Sequence, residues 1–235
     1  MKKLLLFIFV LFTHVLKAQI GEYRNDLCVG VNAGITFNEI GFDPLISQKA
    51  HTAASFGLTF RYTSEKFLTA YCAFQAECNY VNLGWKEEIV SSDLTPLPDT
   101  YQRNINYLQL PFLARLAWGK EKKGLMFYVL LGPQVAFMLS EDASKSEVWT
   151  LNSNGLPDRP NGVTEQYNLK IKNKFDYGIT GGLGVELNTN IGHFLLEGRY
   201  YYGLSDIFGN AKRDFFSRSN HSTIVAKLSY LIDLN

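Results

Sequence analysis

The chain has 235 residues, with 23 basic and 22 acidic side chains and a formal net charge of +1 at pH 7. This near balance of charge argues against a nucleic-acid partner, because proteins that bind nucleic acid concentrate positive charge on one surface. The length suits a single domain.

The first 18 residues have the composition of a secretory signal peptide. Lys2 and Lys3 precede a short apolar run, and Ala18 is a small residue at the expected cleavage point. The apolar run is too short for a membrane-spanning helix. We predict that residues 1–18 are a signal peptide and that residues 19–235 form one exported barrel domain.

Beyond the signal, apolar and polar residues alternate in eight segments, which is the period of a β-strand. Most are longer than a typical strand of a globular protein. The connections between them alternate between long and short, as in outer-membrane barrels. The segments are approximately 26–38, 53–63, 70–83, 106–118, 125–139, 174–188, 193–204 and 221–232.

These features predict an all-β fold, an eight-stranded antiparallel transmembrane β-barrel with short periplasmic turns and long extracellular loops. A soluble barrel is the alternative, but it would place its apolar rows inside. Glycine-rich polar rows favour the membrane form, since small residues suit a narrow interior. Aromatic residues near the strand ends are then expected to form girdles at the membrane surfaces. They are Trp85, Tyr107, Trp118, Phe127 and Tyr200–Tyr202.

Residues 176–188, DYGITGGLGVELN, resemble a phosphate-binding glycine loop at first sight. A dinucleotide loop needs a third glycine where Leu187 stands, and a following helix, and no Lys-Ser or Lys-Thr pair completes a P-loop. Alternation continues through the segment. We therefore interpret it as a strand whose glycines, including Gly182, fill the lumen.

Eight charged residues point inward by the parity of their strands. A selectivity filter or proton path would more often carry one sign in excess. The equal numbers of acids and bases favour instead a network of pairs, because an unpaired buried ion costs several kcal/mol. The predicted lumen charge network is Arg61, Glu77, Arg115, Asp176, Glu186, Glu197, Arg199 and Lys227.

Cysteine and histidine spacing predicts no metal site, no cofactor site and no catalytic site. Cys72 and Cys78 are too far apart in one strand to bridge. Cys28 could pair with either, but all three are better interpreted as small apolar fillers. His221 beside Ser222 is the only candidate for a lipid-modifying enzyme. Neighbours in a strand point to opposite faces, so we predict a structural rim histidine and no enzyme.

Four stretches, NYLQLPFLARLAWG, LLGPQVAFML, FDYGITGGLGVEL and LEGRYYYGLSDI, resemble the PorT-like porin family. The resemblance covers residues from about 26 to 234. It implies an outer-membrane β-barrel of Bacteroidota-type bacteria, with Arg115 as an inward base and Glu77 as an inward acid. One departure is Asn235, since many outer-membrane strands end on an aromatic residue.

The sequence therefore predicts a protein of the outer membrane of a Gram-negative cell. Its expected partners are membrane lipid and, through the long loops, surface ligands or secretion components. A structural or interaction barrel with a filled lumen is the first functional hypothesis. A narrow diffusion pore and an accessory factor for protein secretion are the alternatives. The sequence leaves the oligomeric state open, as well as the conformation of residues 140–173.

Overall fold

A computed structural model describes residues 21–234 of the chain. The predicted signal peptide, residues 1–18, lies outside the described residues. Almost all regular structure in this part is β-strand, apart from one short helical turn, Glu165–Tyr167. Among the described residues, no helix has the length and apolar character needed to cross a membrane.

Eight long strands and one two-residue strand form a single antiparallel sheet, which confirms the predicted all-β fold. The two-residue strand β2 pairs with the end of β4. In chain order the strands are β1 (Glu22–Asp43), β2 (Gln48–Lys49), β3 (His51–Phe67), β4 (Ala70–Glu87), β5 (Tyr101–Gly119), β6 (Gly124–Lys145), β7 (Phe175–Thr189), β8 (Gly192–Asp206) and β9 (Arg218–Asp233).

The sheet closes on itself as a barrel. Each long strand pairs with its neighbours in the chain, and β9 pairs with β1 in a register that places Asn32 opposite Ser229. Pairing of β4 with β5 completes the ring. Closure satisfies the backbone hydrogen-bonding groups of every long strand, which is the condition for placing a sheet in a lipid bilayer.

The two ends of the barrel differ. One end has the short connections, residues 68–69, 120–123 and 190–191. The other end has long connections, residues 44–50, 88–100, 146–174 and 207–217, which we call the cap. The strands extend further than the sequence predicts. In the extensions toward the cap the inward residues, such as Ile40 and Ile105, are apolar, whereas outward residues, such as Glu39 and Lys86, are polar, so the lipid-facing pattern ends there.

The apolar and polar rows lie on the predicted faces. Outward side chains such as Val31, Leu58, Leu131 and Leu183 are exposed, whereas the polar rows are buried in the interior. Gly182 lies where no side chain fits. A Cβ there would lie 2.5 Å from the carbonyl oxygen of Gly198 in the adjacent strand β8. Residues 176–188 thus belong to strand β7 and do not form a phosphate loop.

Candidate functional site in the barrel interior

Four of the predicted lumen charges meet near the middle of the barrel, and we call them the central cluster: Glu77, Glu197, Arg199 and Lys227. Arg199 donates two hydrogen bonds to Glu77, at 2.7 and 2.9 Å, and also pairs with Glu197. Lys227 pairs with Glu77 as well. Two acids and two bases are thereby neutralised as a set, away from water.

Neutral polar side chains donate further hydrogen bonds to the two acids of this cluster. Gln75 and Asn79 each donate to Glu77 at 2.8 Å, and Tyr128 donates its hydroxyl to Glu197 at 2.8 Å. Charges in a medium of low dielectric constant need such partners in addition to an opposite charge. The middle of the lumen is therefore filled by side chains that hold one another in place.

A second group lies nearer the end with short turns, and we call it the mouth cluster: Cys28, Arg61, Arg115, Glu186, His193 and Asp233. Arg61 binds both carboxylate oxygens of Glu186, at 2.8 and 2.9 Å, and Arg115 pairs with the same carboxylate. The Arg115 guanidinium also lies 3.9 Å from the centre of the Tyr128 ring, within the range of a cation–π contact.

Asp176, the eighth predicted lumen charge, lies apart from both clusters. Its carboxylate accepts hydrogen bonds from the Tyr201 hydroxyl, at 2.7 Å, and from Ser205. The other seven charges belong to the two clusters. Equal numbers of acids and bases thus do not produce four separate pairs, because several partners share one carboxylate.

At the end with long loops the interior is apolar and aromatic. Phe42, Trp85, Tyr101, Phe208 and Phe216 form what we call the aromatic plug, in which the rings of Phe42 and Trp85 lie 5.2 Å apart. The plug also contains aliphatic side chains from the strands and the cap. The polar side chains of the two clusters and the aromatic plug thus fill different levels of the lumen along the barrel axis.

The girdle prediction is wrong for three of its residues. Trp85, Tyr107 and Tyr201 are buried inside the barrel. Trp118, Phe127, Tyr200 and Tyr202 are exposed on the outer face, as predicted. An aromatic residue near a strand end fits either a membrane surface or an interior plug, so its residue type alone does not distinguish the two positions.

The cap folds back over the barrel end. Gln166 and Tyr167 donate hydrogen bonds to the Glu87 carboxylate at 3.1 and 2.7 Å. Arg159 donates to the Tyr167 hydroxyl at 2.8 Å and pairs with Asp99 at 3.4 Å. Burial raises the pKa of the Glu87 carboxyl, although these hydrogen bonds act in the opposite direction. The long connection 146–174 is thereby fastened to strand β4 and to residues 88–100.

Residues 17–209 match the outer membrane protein beta-barrel domain family, and this match covers more than half of the sequence. The chain belongs to that family. A comparison with curated proteins gives no match. The outer membrane protein OprG of Pseudomonas aeruginosa is similar in structure, with 15% identity and a TM-score of 0.50 over 90% of this chain and 98% of that one. This likeness shows the fold alone.

Two other outer membrane barrels resemble the chain more distantly. The Yersinia pestis attachment invasion locus protein Ail, solved with the heparin analogue sucrose octasulfate, has 11% identity over 89% of this chain and all of that one, with a TM-score of 0.39. The N-terminal barrel of Pseudomonas aeruginosa OprF has 10% identity over 91% of this chain and all of that one, with a TM-score of 0.36.

As a member of the outer membrane beta-barrel family, the protein lies in the outer membrane of a Gram-negative cell, in contact with its lipid. The outward apolar rows provide that contact. They surround the barrel between its two ends, where side chains such as Leu58 and Leu183 are exposed. The polar and charged side chains of this outer membrane barrel are therefore concentrated in its interior and not on this surface.

The histidine and cysteine predictions need correction. His221 is completely buried, packed edge-on against Tyr107, and not at the rim. Ser222 lies on the opposite face, where its hydroxyl is 2.9 Å from that of Tyr200. The three cysteines are free. Cys28 is not an apolar filler, because its sulfur contacts the Arg61 guanidinium at 3.2 Å.

Proposed function

We propose that this outer membrane barrel is a structural or interaction protein that presents its cap to the outside of the cell and does not conduct solutes. The supporting observation is the filled interior, in which the aromatic plug and the central cluster occupy successive levels of the lumen. An eight-stranded barrel has an interior about as wide as its own side chains, whereas water-filled porins use roughly sixteen strands.

The orientation and export route are part of this proposal. Outer-membrane barrels place short turns in the periplasm and long loops outside, which puts the cap at the cell surface. The motifs that contain Arg115, Gly132 and Gly203 support an assignment to the PorT-like barrels. No enzymatic role is proposed, because His221 and Ser222 face opposite sides of the wall.

The cap offers a surface that a ligand or another protein can contact. Its connections are held in one arrangement by the Asp99, Arg159 and Glu87 contacts described above. A cleft of about 220 Å³ lies between residues 44–50 and 159–166, with the buried Glu87 in its wall. A fastened surface loses less conformational entropy on binding than mobile loops do.

Purified protein in planar bilayers should show little or no steady ion conductance. The physical reason is the side-chain filling of the lumen at two levels. Single-channel recording is the measurement, with a water-filled porin in the same lipid as the positive control. A large and stable wild-type conductance that disappears in a Gly182→Leu variant would establish the diffusion-pore alternative instead.

The interaction role is tested in cells by comparing gene deletion with a variant in which residues 151–157, an exposed turn of the cap, are replaced by a short glycine linker. If the cap acts by contact, this variant should behave as the deletion does in surface-binding assays, while small-solute uptake stays normal in both. Loss of solute uptake in the deletion alone would favour a pore. Loss of secreted proteins in the deletion alone would favour a secretion accessory.

The mature protein should begin at Gln19 and fractionate with the outer membrane. The lysines and apolar run before Ala18 are the features that a signal peptidase substrate needs. N-terminal sequencing of the membrane-extracted protein is the measurement. Retention of Met1 on protein recovered from the cytoplasm would contradict the export route.

A further inference from the structure

Three potential metal ligands meet at the end of the barrel with short turns. The donor atoms of Cys28, His193 and Asp233 all lie within 4.8 Å of one another. We propose that these side chains form a binding site for one divalent cation of intermediate softness, with Zn²⁺ as the best match. Thiolate, imidazole and carboxylate are the three ligand types that Zn²⁺ binds in proteins.

The register of three adjacent strands produces this cluster. Cys28 in β1 lies directly opposite Asp233 in β9, and His193 in β8 pairs with Leu231, two residues before Asp233. The Cys28 sulfur lies 3.0 Å from Asp233 Oδ1, and His193 Nε2 lies 2.9 Å from the same oxygen. Around tetrahedral zinc these donors would be about 3.3–3.6 Å apart, which follows from the usual bond lengths. A small outward movement of the Asp233 side chain would lengthen both of its distances to that range.

The ring nitrogen Nδ1 of His193 makes contacts of the kind that are usual for a metal-binding histidine. His193 Nδ1 lies 2.7 Å from Asn188 Oδ1 and 2.8 Å from Glu186 Oε1. Acceptors at this position favour a proton on Nδ1 and leave Nε2 free to bind a cation. Because Nε2 is the nitrogen that faces Asp233, the ring orientation suits the proposed site.

The charges of the cluster also suit a divalent cation. Cys28 as a thiolate and Asp233 as a carboxylate would together balance two positive charges, and one proton would leave the Cys28 thiol on binding. The nearby Arg61 and Arg115 are cations that repel a metal, and Glu186, which pairs with both, neutralises one of their two positive charges. The bound ion would therefore lie next to an arginine pair that retains one net positive charge.

The site is open to solvent on one side. It borders a cavity of about 330 Å³ at the mouth, whose wall includes Glu121, Asn188 and Met126. The Asp233 side chain is 56% exposed, whereas that of His193 is only 12% exposed. Three protein ligands with an accessible fourth position leave room for water or a small anion on the metal. An ion can thus enter from the end of the barrel with short turns.

The test is a titration of the full barrel, folded in detergent micelles and treated with chelator, with Zn²⁺ by calorimetry and with Co²⁺ by absorption. One ion should bind per chain, and Co²⁺ should give a thiolate-to-metal absorption band. Cys28→Ser, His193→Gln and Asp233→Asn should each weaken binding about tenfold or more. Cys78→Ser is the matched control, because Cys78 lies exposed on the outer face and should leave affinity unchanged.

A second measurement does not depend on whether the Cys28 variant folds. In a Cys72→Ser/Cys78→Ser background, only Cys28 remains to react with a maleimide, and Zn²⁺ should slow that reaction severalfold. Zn²⁺ should have no such effect when His193→Gln is added. The proposal is overturned if Zn²⁺ fails to protect Cys28, if Cys28→Ser binds Zn²⁺ as tightly as wild type, or if Co²⁺ binds without a thiolate band. Each result would show that Cys28 is not a ligand of the ion.

Discussion

Replacing Glu77 with leucine is expected to destabilise the barrel by about 3–5 kcal/mol, the cost of breaking a buried ion pair from one side. Glu77 is the shared partner of Arg199 and Lys227, and both cations are buried. Removing the carboxylate leaves two buried cations that share one acid, Glu197, within the central cluster. Urea unfolding of the protein in lipid vesicles measures the change in the free energy of unfolding.

Two further variants test whether the loss of stability is specific to the buried Glu77 carboxylate. Glu39→Leu removes an exposed carboxylate from β1 and should change stability little. Arg115→Leu should cost less than Glu77→Leu, since Glu186 keeps Arg61 and His193 as partners. If the Glu77 and Arg115 variants are equally stable, the central cluster is not the dominant ionic contribution that its geometry implies.

Replacing Leu183 with arginine is expected to cost about 2–4 kcal/mol, because it places a charge against hydrocarbon near the midplane of the bilayer. Leu183 lies in the middle of β7, and 67% of its surface is exposed on the outer face. Folding yield in lipid vesicles and urea unfolding of the folded fraction measure the effect.

A matched substitution at a different depth in the membrane serves as the control. Leu204 is also exposed on the outer face, but it lies near the end of β8 that carries the long loops. Leu204→Arg should cost only about 0–1 kcal/mol, since the longer side chain can reach the membrane surface. Equal costs at both positions would mean that the outer face is not immersed in lipid as the barrel geometry requires.

Strand number, pairing direction and the inward or outward side of each row could be predicted from the sequence. A side chain in a membrane barrel faces either lipid or lumen. Apolar and polar residues therefore alternate strongly along each strand, and the residue type indicates which face a position lies on. Glu77, Arg115 and Leu183 lie on the faces that parity assigns to them. The glycines of β7 likewise follow from the lack of space inside.

Contacts between distant segments could not be predicted in this way. Cys28, His193 and Asp233 are far apart in the sequence, and only the exact register of β8, β9 and β1 brings them together. Trp85 and Tyr107 have the residue type of a girdle, yet they pack inside because they lie on the inward rows of β4 and β5. Parity predicted the direction of each lumen charge. It did not show that Glu77 has two cationic partners whereas Asp176, among residues 21–234, pairs with hydroxyl groups and with no cation.

The central cluster has a consequence for the order of assembly. Glu77 is 122 residues from Arg199 and 150 residues from Lys227 in the chain, and its strand pairs with neither of theirs. These contacts cross the lumen. They form only when the sheet has closed far enough to place β4 opposite β8 and β9. An open, partly inserted sheet leaves Glu77 without its cations in or near lipid, and it leaves Arg199 and Lys227 to share the single acid Glu197 of their own hairpin. The closed ring removes that penalty, and the charged interior thus favours completion of the barrel over its unfinished intermediates.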